Sequence, residues 1–148
     1  MAIRFAGCDL GKASVSFAII SIKETGETHI HDVENIIHGG YPLDVFRKWY
    51  TEKDIASCKA LCATGLYADQ LGDPVHIVPE TYCQESALTL FPEIQGQLNL
   101  VSAGGAQGFS VMTRRLVNNT FHYQTLGNDK CSSGAGESII KIASRFLA

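Results

Sequence analysis

The run Asn128-Asp129-Lys130-Cys131-Ser132-Ser133-Gly134-Ala135-Gly136 sets one cysteine in a polar, glycine-rich turn. Directly after it, Ile139, Ile140, Ala143, Phe146 and Leu147 fall at near-helical spacing, opposite Lys141, Ser144 and Arg145. A thiol just ahead of a helix N-terminus feels the partial positive charge of backbone N–H groups, which favours the thiolate. Such a thiol suits a metal ligand, a redox partner or a nucleophile. The other four cysteines, Cys8, Cys58, Cys62 and Cys83, lack that setting and read as packed or incidental thiols. An odd count with irregular spacing gives no disulfide framework.

A second chemistry lies in two glycine-containing turns. Asp9-Leu10-Gly11-Lys12-Ala13 and Ala103-Gly104-Gly105-Ala106 each fall between two β-type runs. A hairpin tip with Asp-x-Gly can offer backbone N–H groups to a phosphate, while its carboxylate holds Mg²⁺ through water. Lys12 adds a positive charge at the first tip. A plain turn is the competing reading, since Asp and Gly favour turns anyway. The five histidines, His29, His31, His38, His76 and His122, match strand alternation and read as exposed strand residues, not metal ligands.

The elements that must position these residues follow from periodicity. Ile3 to Asp9, Ser14 to Ser21 and His29 to His38 read as three successive strands. Gly39-Gly40 breaks the chain, and Pro42 opens a helix whose apolar stripe is Leu43, Phe46, Trp49 and Tyr50. Ala60 to Thr64 and Pro74 to Val78 are short apolar runs suited to buried strands. Glu80 to Phe91 reads as a helix stopped by Pro92. Asn99 to Ala103, Phe109 to Thr113 and Leu116 to Thr125 read as strands, and a final helix follows. The glycines join strands and do not lead into a helix, which predicts a mixed sheet with helices rather than a dinucleotide-binding unit.

With 148 residues, 45% of them hydrophobic, the chain can bury a sizeable core. A net charge of −3 gives no electrostatic case for nucleic acid or an anionic membrane. No apolar run approaches the ~20 residues of a spanning helix. The opening Met-Ala-Ile-Arg-Phe-Ala-Gly has no signal-peptide core, so a cytoplasmic location is expected.

These turns, in this order, resemble those of the BadF/BadG/BcrA/BcrD-type ATPases, the activators of 2-hydroxyacyl-CoA dehydratases and ATPase subunits of benzoyl-CoA reductase. Gly7 to Ala13 resembles the family's first phosphate motif, G-I-D-x-G-S-T. Ala63-Thr64-Gly65-Leu66-Tyr67 resembles its T-G-Y-G segment, and Pro79 to Cys83 the start of its acidic helix. Ser102 to Gln107 resembles D-I-G-G-Q-D. Asn128 to Gly136 resembles N-D-K-C-A-A-G-T-G, with six of nine residues identical.

The resemblance implies an α/β fold, a mixed-sheet ribonuclease H-like lobe with flanking helices, as in the actin, Hsp70 and acetate kinase superfamily. It implies that residues 1–148 are a single N-terminal ATPase-like lobe of a longer protein. By the same resemblance Asp9, Gly11, Lys12, Ala13, Gly104 and Gly105 contact ATP and Mg²⁺, and Glu80 is the catalytic carboxylate. Cys131 becomes a ligand of a [4Fe–4S] cluster shared across a homodimer. The implied activity is ATP-driven, low-potential electron transfer to a partner CoA-thioester dehydratase or reductase. Four departures from the family pattern stand out, and the lost carboxylates among them support an alternative, a non-hydrolysing regulatory or scaffolding lobe. Lys12 and Ala13 replace a Ser-Thr pair, Ser102 and Gln107 replace two aspartates, and Gln84 stands where a histidine is frequent. The family's second cluster cysteine and adenosine motif belong to a C-terminal half that these residues do not match.

Overall fold

The computed structural model describes residues 2–88, 98–102 and 109–128. They fall into two compact units, Met1–Glu80 and Thr81–Ala148. The first holds a five-stranded mixed sheet in the order β3-β2-β1-β4-β5. Its strands are β1 (Ala2–Leu10), β2 (Ser14–Lys23), β3 (Thr28–Ile37), β4 (Ala60–Thr64) and β5 (His76–Ile77). β1, β2 and β3 form an antiparallel meander, and β4 and β5 run parallel to β1. This order and polarity are those of a ribonuclease H-like lobe, as expected.

Period-2 alternation decides which face of this sheet is packed. Ala6, Cys8 and Leu10 of β1, Val15, Phe17 and Ile19 of β2, and Leu61 and Ala63 of β4 are all buried. Helix α1 (Pro42–Glu52) covers them with Phe46 and Trp49. Trp49 stacks on Phe17 at a centroid distance of 4.3 Å and an interplanar angle of 19°, an offset pairing that adds about 0.5–1.5 kcal/mol beyond area burial. Pro42 sits in the first turn of α1, where its missing N–H leaves nothing unsatisfied. The reading of Trp49 and Tyr50 as helix packing therefore holds. At the other end of α1, Lys53 bridges Asp32 and Glu34 of β3, 2.5 Å from each carboxylate. These neighbours hold the Lys53 ammonium above its ordinary range.

Two strand expectations are corrected. Pro74 to Val78 does not form a buried strand. Only His76–Ile77 pairs with β4, at the sheet edge, and both residues are exposed. A terminal strand has one neighbour, so its apolar residues need not be enclosed. In the second unit, β6 (Leu98–Ser102), β7 (Phe109–Val117) and β8 (Thr120–Asn128) form a separate antiparallel sheet. The expected strand Leu116 to Thr125 spans the actual β7–β8 turn. Asn118 and Asn119 both take positive φ, 49° and 62°, the conformation of a two-residue type I′ turn. An Asn-Asn pair tolerates it where most side chains do not.

Helix α2 (Glu80–Leu88) begins at the expected glutamate. Its expected continuation to Phe91 and the final helix from Glu137 lie outside the described residues. Within the second unit Arg114 is only 2% exposed. Its guanidinium lies 4.3 Å from the centre of the Phe121 ring and donates to the Leu88 carbonyl at 3.3 Å. Among the described residues, no helix is long and apolar enough to cross a membrane.

Candidate functional site

The first glycine turn closes the β1–β2 hairpin. β1 ends at Leu10 and β2 begins at Ser14, leaving Gly11, Lys12 and Ala13 as the loop. Asp9 lies on the strand itself, on the face opposite the α1 core. Its register partners on the two flanking strands are Ser16 and Thr64, so two hydroxyl-bearing residues share its face. Leu10, the last residue before the loop, pairs with Val15, the second residue of β2, and both are fully buried, which anchors the tip at its base. A Cβ on Gly11 would come within 3.0 Å of the Ser14 carbonyl, so the tight loop favours glycine there.

Glycine at position 65 is required more strongly. Gly65 follows β4 at φ +95°, and a Cβ there would overlap Asp9 Oδ1 and sit 2.7 Å from the Leu10 carbonyl carbon and oxygen. The chain after β4 is thus pressed against the end of β1. Tyr67 N–H donates to the Leu10 carbonyl at 3.2 Å, and Ala68 N–H to the Gly65 carbonyl at 3.2 Å. This close passage partly buries Asp9. Burial raises its carboxyl above the ordinary range, and the nearby Glu80 carboxylate raises it further. Glu80 stands at the start of α2. Structure thereby brings together two residues that sequence separates by most of the first unit.

Asp9, Gly11, Lys12, Ala13 and Glu80 are the site residues that the described chain carries. Ser102 ends β6. Gly104, Gly105, Gln107 and Cys131 lie outside the described residues. Of the other cysteines, Cys8 is buried beside Asp9. Burial, with the Asp9 and Cys62 charges behind it, pushes its thiol up to about 12. That keeps it protonated, and so a poor nucleophile, at neutral pH.

The residue that departs from the exposed-histidine reading is His38. It is 7% exposed and lies just past β3, not on the exposed face of a strand. Its backbone N–H donates to the Ala13 carbonyl at 3.3 Å, and its ring Nε2 meets the Gly11 carbonyl at 3.2 Å. Gly40 N–H donates to Nδ1 at 3.0 Å. Nδ1 is therefore the acceptor and Nε2 carries the proton, which fixes the neutral tautomer. The Tyr67 ring meets the imidazole edge-on at 6.1 Å. The signal in the sequence was the Gly39-Gly40 pair. Both glycines take positive φ, 58° and 99°, which brings the Gly40 amide back onto the ring. A neighbouring groove of ≈ 290 Å³, lined by Gly40, Tyr41, Asp44, Arg47, Tyr67 and Gln70 among others, excludes the carboxylates of the turn.

Several solved structures share this architecture. The activator of 2-hydroxyisocaproyl-CoA dehydratase from Clostridium difficile, with bound ADPNP, gives a TM-score of 0.63 at 21% identity, covering 99% of this chain and 53% of that one. A Ppx/GppA family member from Aquifex aeolicus gives 0.62 at 13%, covering 99% and 55%. The fold is the ribonuclease H-like lobe. An exopolyphosphatase from Cytophaga hutchinsonii gives 0.60 at 16%, covering 93% and 53%. This chain spans about half the length of the structures it matches. No family model and no curated protein matches it.

The donor set of the lobe fits one of the two groups that its resemblance implies. The Glu80 carboxylate is close enough to oppose the ionisation of Asp9, and a hydrated divalent cation would relieve that opposition. They are two carboxylates, fewer than an all-protein cage needs, and among the described residues no cluster of three or more His, Cys, Asp or Glu side chains could hold a metal. That suits Mg²⁺, which keeps most of its ligands as water and phosphate oxygens. For an iron–sulfur cluster, the candidate Cys131 falls outside the described residues.

Proposed function

We propose that this chain is a nucleotide-binding, ATPase-like lobe that seats the phosphates of ATP–Mg²⁺ at the β1–β2 turn. The observation that carries this reading is Asp9. A partly buried carboxylate is held against a glycine with no Cβ, beside a second carboxylate and under an open glycine loop. Leaving a carboxylate in that setting costs stability, which is the mark of a binding group rather than of a packing one. Asp9 and Glu80 hold the hydrated cation, the loop of Gly11, Lys12 and Ala13 offers backbone donors, and the Lys12 ammonium complements phosphate charge. Bound Mg²⁺ supplies neutralisation of the charge on the phosphate oxygens.

Titration of the chain with ATP and Mg²⁺ by calorimetry tests this. Binding is expected, and Asp9→Asn should weaken it by at least about tenfold. An Asp9→Asn protein that binds as well as the wild type would overturn the assignment.

The finer proposal is an activator that couples ATP hydrolysis to low-potential electron transfer, as a cytoplasmic homodimer serving a CoA-thioester dehydratase or reductase. Its support is the Asn128 to Gly136 sequence motif and the fold shared with one dehydratase activator. Cys131 would ligate the [4Fe–4S] cluster. Iron analysis of anaerobically purified protein checks this, because Cys131→Ser should lose iron. The alternative, a lobe that binds nucleotide without hydrolysing it, is favoured by Lys12, Ala13, Ser102 and Gln107. Phosphate release on incubation with ATP separates the two.

A further inference from the structure

We propose that His38 is a positioning residue, which orients the Gly11–Lys12 peptide so that its amide is presented to phosphate. The inference rests on the nucleotide-binding reading and names a residue that the motif resemblance does not include.

The geometry is over-determined at the imidazole. Gly40 N–H occupies Nδ1, so the ring has one proton to give, and Gly11 O receives it. A trans peptide is planar, with its C=O and N–H pointing in opposite directions. Tying the Gly11 carbonyl to the buried ring therefore directs the Lys12 N–H away from it. The His38 backbone N–H holds the Ala13 carbonyl at the other end of the loop, so one residue fixes both ends of a three-residue segment. The ring cannot drift, because it is 7% exposed and flanked by Tyr67. Tyr67 is itself tied to the Leu10 carbonyl. A glycine loop left to itself would sample many peptide orientations, and ordering it on binding would weaken affinity.

Amide isosteres of histidine supply the test. A glutamine nitrogen reaches the Nε2 position and can restore the bond to Gly11, whereas an asparagine oxygen reaches only the Nδ1 position and restores the bond from Gly40. Two readouts are taken on the full chain, with circular dichroism confirming that each variant is folded. The first is the NMR order parameter of the Lys12 amide without ligand. The second is affinity for ATP–Mg²⁺ and for inorganic tripolyphosphate. His38→Asn is expected to lower the Lys12 order parameter and weaken both ligands about tenfold, with His38→Gln close to wild type. An unchanged Lys12 order parameter in His38→Asn, or a glutamine variant as impaired as the asparagine one, would overturn the role of His38. If wild-type protein binds neither ligand, the nucleotide reading fails instead, and the order-parameter series still reports whether His38 orients the peptide.

Discussion

The two sheets solve the problem of burial differently. In the first, Ala6, Cys8, Leu10, Val15, Phe17 and Ile19 alternate cleanly on two long strands, and α1 closes over them. In the second, the described buried side chains are Leu88, Met112 and the cationic Arg114, while Leu116, Val117, Phe121 and Leu126 are exposed. A core of close-packed hydrocarbon can hold a strained glycine and a half-buried carboxylate at its edge. Among the described side chains of the second unit the largest buried one is an arginine, which depends on a few directional contacts. The candidate site lies at the edge of the hydrocarbon core.

The largest test of that contrast is Gly65→Ala. Positive φ and overlap with Asp9 and the Leu10 backbone act together, so a loss of about 2–4 kcal/mol is expected in urea unfolding. A loss below about 0.5 kcal/mol would mean that the first sheet yields easily at this point. Arg114→Lys is next. It keeps the charge but loses the planar stack on Phe121 and the geometry toward Leu88 O, and it should destabilise by about 1–2 kcal/mol. Combined with Phe121→Leu, the effects should be less than additive.

Asp9→Asn is smaller and opposite in sign. The Asp9 carboxyl is raised in the folded protein, so folding is favoured while the group is protonated. That favour is lost as pH rises through its folded value. At neutral pH the neutral amide should therefore stabilise the fold by a few tenths to about 1 kcal/mol, once solvent screening is allowed for, even as nucleotide binding falls. Below the ordinary carboxylate range the two proteins should melt together. Thermal melts across acid and neutral pH check this, and a destabilised Asn variant at neutral pH would remove the argument that Asp9 is kept for binding. Least in effect, Cys8 should resist iodoacetamide at neutral pH in the folded chain and react on unfolding, because its thiol is pushed to about 12.

Much of the first sheet was legible in the sequence because alternation and punctuation agree there. Val15 and Phe17 alternate with Ser14 and Ser16 in a run rich in β-branched residues, Gly39-Gly40 and Pro42 mark the entry to α1, and Gly65 marks the end of β4. His38 has the parity of Ile36, which packs against the core, whereas His31 lies at the register shift on the exposed run, so grouping the histidines together hid the one that turns inward. The Asn118-Asn119 turn was hidden because Leu116, Val117 and Phe121 make an apolar run on either side of it. Asp9 and the glycine loop were legible as motif chemistry. The nearness of Glu80 to Asp9 was not, since it depends on how the chain passes β1 after β4. Gly65 belongs to the Ala63 to Tyr67 motif, and its physical role is to let that passage come close.

The bridge from Lys53 to Asp32 and Glu34 has a consequence for how the molecule behaves in a crowd. β3 is a terminal strand with a register shift opposite Ile19 and Ile20, and its outer face shows Ile30, Val33 and Ile37. A strand from another copy adding to that edge would have to follow the irregular register. It would also have to run beside two carboxylates and an ammonium that turn toward the helix side. Those charges keep their hydration only while the edge is left alone, so the sheet is guarded against growing from one molecule into the next.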